Sequence, residues 1–203
     1  MVHFPVSMLS QNQSKPVILN VEEEKKRLIS VIAAAKRGDA DAFTLLYTTY
    51  ITPLYRYIYS RTRDKDLTED LCQNVFLRFY EALPRYELET VSPLSYLFTI
   101  AKRLMINHHE KKRFEHFGEG EEVSLTDHSN LEDEMHMSHL AGRIWEHIDT
   151  LPPLEQDVLR LYFTADLSHK EIAEVLDKEE AYIRKIKSRG LESLRTATHH
   201  LYE

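Results

Sequence analysis

Between Lys178 and Arg195 the chain places six basic residues against three acidic ones. On a helical period Ile183, Ile186 and Leu194 share one face, whereas Arg184, Lys185 and Ser188 project away from it and Arg189 lies on its flank. Guanidinium, ammonium and hydroxyl donors arrayed in this way suit base edges in a major groove or the phosphates beside it, and Lys178 extends the same basic surface. A solvated basic helix would look alike in isolation. The residues just upstream separate the two cases. Ser168-His169-Lys170-Glu171 is a capping box opening a short helix that ends near Leu176. Asp177 with Glu180 supplies a similar start signal for the basic helix, and the pair, joined by a very short turn, has the helix-turn-helix pattern.

Other chemistry finds little support. Eleven histidines invite a metal site, but His108 and His109 are adjacent and point to different sides of a helix. His136 and His139 share a face without a third ligand, and HExxH is absent, so no metal or other cofactor is expected. There is no GxxxxGK[ST] or GxGxxG loop to cradle a nucleotide. Cys72, the single cysteine, excludes a disulfide framework and reads as a small buried residue. No catalytic residues are expected.

The elements that must position the basic helix are all helical. With 203 residues, 42% hydrophobic and 29% charged, the composition is that of a globular protein, and no apolar run is long enough to span a bilayer. Residues 1–21 read as a loose tail. A domain over residues 22–117 follows, then an acidic linker over 118–138 and a second domain over 139–203. Phe43, Leu46, Tyr47, Tyr50, Leu54, Tyr57 and Ile58 predict a helix from Asp39 to about Arg61, which Pro53 should kink or split. Leu71, Val75, Phe79 and Leu83 line the next, which Pro84 stops. A third begins at Ser92-Pro93 and runs through Leu97, Ile100 and Leu104. Period-2 strands are absent, so the expected class is all-α, with two small helical domains.

The net charge of −7 disfavours a nucleic-acid binder only as a whole-chain figure. Residues 118–150 hold nine acids and one base, which leaves the remainder at +1. Within that remainder, residues 100–117 carry five bases against two acids, a second basic helix.

Leu151 to Leu176, LPPLEQDVLRLYFTADLSHKEIAEVL, resembles the promoter −35-binding domain of sigma-70-family initiation factors. Upstream, DAFTLLYTTYITPLYRYIYSR and EDLCQNVFLRFYEAL resemble the family's other DNA-binding domain, with the run Asp70-Leu71-Cys72-Gln73-Asn74-Val75-Phe76 as its signature. Two such domains with no third between them resemble the extracytoplasmic-function group. The resemblance implies that Asp70, Gln73, Asn74, Phe76 and Leu77 bind core RNA polymerase. It further implies that Tyr86, Thr90, Ser92 and Tyr96 capture unstacked bases of the −10 element, and that Lys102, Arg103, Asn107, Lys111, Lys112 and Arg113 follow the phosphates of the open strand.

This chain departs from the family in having Tyr96-Leu97 where a Trp-Leu pair is usual, and Lys187 where an apolar residue is usual, with Ile186 taking over the seam. Gly190 is expected to weaken the recognition helix by roughly 1 kcal/mol relative to alanine. The implied partners are core RNA polymerase, promoter DNA and an anti-sigma factor. The implied location is the cytoplasm without membrane insertion. The linker would thread between the domains through a basic channel of the polymerase. The runner-up is a two-domain helix-turn-helix regulator acting without polymerase.

Overall fold

The computed structural model describes residues 18–87, 92–116 and 139–199, and among them every regular element is helical. Packing divides the chain into two units, Met1–Leu46 and Tyr47–Glu203.

In the first unit α1 (Ile18–Lys36) begins inside the stretch expected to be a tail. Residues 22–28, EEEKKRL, are strong helix formers and carry the helix upstream. The rest of the expected tail lies outside the described residues. Gly38 turns the chain at φ +86°, a conformation glycine adopts without cost. Asp39 then caps α2 (Ala40–Thr62), its Oδ1 accepting 3.0 Å hydrogen bonds from the Asp41 and Ala42 amides.

The helix α2 is continuous through Pro53, which does not split it. Leu54, Tyr57 and Ile58 just beyond the proline are fully buried, and their packing offsets one lost backbone hydrogen bond. Asp64 caps α3 (Lys65–Ala82) by accepting from the Leu67 amide at 2.9 Å. A 3-10 turn at Leu83–Arg85 takes up Pro84. Ser92 caps α4 (Pro93–His116) through a 3.1 Å bond from the Ser95 amide. The pair α3 and α4 pack together, and the Tyr57 and Phe98 rings, with centroids 5.0 Å apart, join α2 to α4.

Residues 117–138, and with them the expected linker, lie outside the described residues. Beyond them come α5 (His139–Thr150), α6 (Pro153–Ala165), α7 (His169–Leu176) and α8 (Glu180–His199). Their core is Ile148, Leu151, Leu159 and Leu194, flanked by Ile144, Trp145 and Leu191.

The capping box of α7 forms in full: Ser168 Oγ accepts from the Glu171 amide at 3.2 Å and the Ser168 amide donates to Glu171 Oε2 at 3.0 Å. Ser168→Ala is expected to cost about 1 kcal/mol, measured as a lowered midpoint in urea with an unchanged slope. Asp177 differs from expectation. It adopts φ +53° and ends α7 as a left-handed C-cap, its amide donating to the Ala173 and Glu174 carbonyls. The short aspartate side chain tolerates that conformation, and α8 starts at Glu180 instead.

Helix α7 packs along α4, and both belong to the same unit, Tyr47–Glu203.

Candidate functional site

Three surfaces carry the residues singled out above. On α3 the apolar positions Leu71, Val75 and Phe79 face inward, which turns Asp70, Gln73, Asn74 and Leu77 outward. These four sit at i, i+3, i+4 and i+7, one continuous stripe. Leu77 is 54% exposed, a conspicuous position for a large apolar side chain. Asn74 steadies the stripe by donating to the Asp70 carbonyl at 2.8 Å. Phe76 is a correction: it is 4% exposed and packs on Tyr47 with centroids 4.6 Å apart, so it builds the core rather than the surface. Tyr80, 49% exposed and three residues past Leu77, extends the stripe and is absent from the residues singled out by sequence; its spacing was the available signal. Cys72 is buried as expected, and burial, with Glu69 nearby, pushes its thiol up to about 12, leaving it protonated at neutral pH.

The second surface lies where the turn after α3 meets the start of α4. Tyr86, Tyr96 and Phe79 form a cluster, with Tyr86 and Tyr96 edge to face at 5.4 Å and Phe79 5.8 and 6.0 Å from the two tyrosines. The Ser92 hydroxyl is 2.9 Å from Ser95 Oγ, and Ser95, itself fully buried, is a member that sequence reasoning does not find. Tyr86 is only 5% exposed, and burial pushes its hydroxyl pKa up, with Tyr50, Glu174 and Tyr96 adding to the shift. Tyr50 is raised for the same first reason, with Glu171 contributing. Thr90 lies outside the described residues. Further along α4, Arg103, Asn107, Lys111 and Lys112 are exposed, and Lys102 is half-buried. Arg113 belongs to the same helix, but its side chain lies outside the described residues. Arg103, Asn107 and Lys111 lie on the side of α4 away from the buried Ala101, whereas Lys112 follows Ala101's side beyond the core.

The third surface is α8. Ile183, Ile186 and Leu194 are buried, which leaves Arg184, Lys185, Ser188 and Arg189 outside, and Lys178 is exposed in the turn before the helix. Arg184 is 64% exposed and held by Glu180 one turn earlier at 2.6 Å. Arg189 also ties α8 to α6, since it reaches Glu155 at 2.7 Å and that carboxylate is 6% exposed. Ile186 has taken the seam, and Lys187 lies over the Tyr162 ring, 3.9 Å from its centroid, a cation–π contact. Among the described residues no group of three His, Cys, Asp or Glu is placed to hold a metal, and no helix is long and apolar enough to cross a membrane.

Residues 46–115 match the family described as Sigma-70 region 2, and residues 147–196 match Sigma-70, region 4. The ECF RNA polymerase sigma factor BldN of Streptomyces coelicolor is 29% identical over 175 residues, covering 85% of this chain and 66% of its own length, just under two thirds. The ECF RNA polymerase sigma factor SigM of Bacillus subtilis is 25% identical over 150 residues, 74% of this chain and 91% of its own. CnrH, solved in complex with the cytosolic domain of CnrY, matches with TM-score 0.63 at 17% identity, over 84% of this chain and 96% of that one. The sigma factor RpoE in complex with the anti-sigma factor NepR from Bartonella quintana matches with TM-score 0.54 at 16% identity, over 87% and 96%. The two structures share the fold of this chain.

Proposed function

The chain belongs to the sigma-70 family, in its extracytoplasmic-function group, and on that premise we propose that its three surfaces divide the work of transcription initiation. Sigma factors are non-catalytic subunits, so the polymerase performs the chemistry and this chain supplies promoter choice and strand opening. Asp70, Gln73, Asn74 and Leu77 on α3 hold core RNA polymerase: the polar groups set register and the exposed leucine anchors. Tyr86, Thr90, Ser92 and Tyr96 take up an unstacked −10 base, with Tyr86 and Tyr96 edge to face at 5.4 Å. Lys102, Arg103, Asn107, Lys111, Lys112 and Arg113 bind the strand leading from it. Helix α8 enters the −35 major groove with Lys178, Arg184, Lys185, Ser188 and Arg189. A cytoplasmic location follows from that work. An anti-sigma protein is the expected regulator, since the structurally similar RpoE was solved with one.

The observation that carries this reading is the outward stripe on α3 in the same chain as a helix-turn-helix whose first helix carries a complete capping box. A regulator acting without polymerase has no use for that stripe.

Arg184 tests the −35 assignment. Its pairing with Glu180 is exposed and contributes little to stability, whereas a good bidentate base contact contributes about 1–3 kcal/mol of discrimination. Arg184→Ala should therefore weaken binding to −35 duplex DNA by about tenfold or more, with core affinity unchanged. Equal duplex affinity for variant and parent would remove Arg184 from the interface.

A further inference from the structure

Among the described residues, helix α8 carries three arginines in ion pairs, and the pairs differ in kind. Arg189 reaches Glu155 of α6 at 2.7 Å, a carboxylate 6% exposed, so that pair fastens α8 to its neighbour. Arg195 reaches Glu192 at 3.2 Å, both side chains largely exposed and far along the helix. Arg184 reaches Glu180 at 2.6 Å, the shortest of the three, and Glu180 is the first residue of the helix. The N-terminal residues of a recognition helix are those that approach base edges.

Stability does not account for this last pair. Both side chains are exposed, 64% for Arg184 and 45% for Glu180, and such a pair contributes little. Nor is Glu180 needed to complement the helix dipole. Glu179, the residue before the helix, is exposed and brings a carboxylate to the same terminus. Its carbonyl accepts from the Tyr182 and Ile183 amides at 3.0 Å. On a surface that meets phosphates, a second carboxylate lowers affinity for every DNA sequence. That loss is offset only where a group on the DNA donates to it.

The chemistry of the pair decides which group. A guanidinium presents five N–H donors, and Glu180 engages Arg184 through Nη2, so a bidentate fork remains for guanine N7 and O6. The pairing also fixes a long side chain that otherwise loses rotamer freedom on binding. Glu180 in turn is acceptor-only, and a carboxylate has capacity beyond one bond. In the major groove guanine and thymine present acceptors that repel it, and adenine sets its N7 acceptor beside its amino group. Cytosine alone presents only a donor. Ala181 and Ser188, small and exposed on the same stretch, let the helix backbone come close to the base edges.

We infer that Glu180 is a second base-reading residue of α8, taking the amino group of a cytosine in the base pair next to the guanine read by Arg184. The inference rests on the −35 assignment made above. Glu180 accepts from the right base and repels the wrong ones, while Arg184 neutralises a carboxylate that would otherwise oppose the phosphates.

Selection from a duplex library randomised across the −35 region, with the full-length chain and its variants, tests this. Parent sites should carry a guanine that Arg184→Ala no longer selects, with a cytosine at an adjacent base pair. Glu180→Gln should keep the guanine and exchange the cytosine for adenine, whose N6 and N7 an amide matches, a change in relative preference of about tenfold. Glu180→Ala should lose the preference at that pair by about tenfold and weaken the guanine preference too, since Arg184 is no longer held. Charge alone predicts something else: both variants would bind every duplex more tightly, with the base preferences of the parent. That result, in variants of unchanged helical content, would overturn the role of Glu180 while leaving the −35 assignment standing. A parent site without cytosine beside the guanine would do the same. A parent that selects no duplex sequence would overturn the −35 assignment itself, and the reading of Glu180 with it.

Discussion

Core RNA polymerase should bind the Asp70→Ala, Gln73→Ala double variant at least about a hundredfold more weakly than the parent chain, taking about 2 kcal/mol for each central interface residue and 1.4 kcal/mol per tenfold. Both side chains are exposed on α3, opposite its buried Leu71, Val75 and Phe79. Their removal opens no cavity and strands no buried group, so thermal unfolding should be unchanged within experimental scatter. Affinity for −35 duplex DNA should also be unchanged, because α8 is a different surface. Phe76→Ala provides the contrast. That ring is 4% exposed against Tyr47, so its loss should cost about 3–5 kcal/mol of stability and would reduce polymerase binding only through unfolding. Surface plasmon resonance with immobilised core polymerase, alongside urea unfolding, distinguishes the two outcomes. Retained affinity in the double variant would move the polymerase contact off α3.

The second large effect concerns how α8 is held. Leu159 of α6 is fully buried in the core with Ile148, Leu151 and Leu194, and Leu159→Ala should cost about 3–5 kcal/mol through lost burial and a residual cavity. Gly190 of α8 faces this residue so closely that an added Cβ would lie 2.9 Å from Leu159 Cδ1 and 3.1 Å from its Cγ. Gly190→Ala should therefore destabilise by about 1–3 kcal/mol through overpacking, although alanine favours a helix. The double variant places the new methyl in the cavity left by the old side chain and should be less destabilised than the two single costs added together. The coupling should be of the order of 1 kcal/mol or more. Additive costs would mean that α6 and α8 do not meet at these two positions.

Gly190 also illustrates which parts of the structure are legible in the sequence. A helix propensity argument marks it as a weak point; the neighbour that requires glycine is Leu159, thirty-one positions earlier and invisible to any local rule. Local rules serve well where the physics is local. The Ser168–Glu171 box and the Asp39 cap depend on residues within a turn of one another, and both stand where expected. Asp177 fails as a helix start because an aspartate suits both a cap and a left-handed turn, and the choice is made by the packing of α7 against α8. Phe76 is ambiguous by sequence, since an aromatic on a helix serves either core or surface; Tyr47, from another helix, decides it.

The polar contacts that join the end of α2 to α5 and α6 are beyond sequence reading altogether. Arg61 and Asp157 lie 96 positions apart, Arg160 and Ser60 lie 100 apart, and isolated arginines and aspartates carry no pairing signal. The sequence suggests two bodies on a tether. In the structure α7 packs along α4, with Glu171 Oε1 3.3 Å from Ser92 Oγ.

The central claim is that this chain directs core RNA polymerase to promoters. The most direct measurement is in vitro transcription with purified core polymerase on a pool of random promoter fragments, with and without the chain. Discrete start sites that appear only with the chain, and share upstream sequence near −35 and −10, are the expected result. Core polymerase that neither binds the chain nor gains a start site from it would contradict the account.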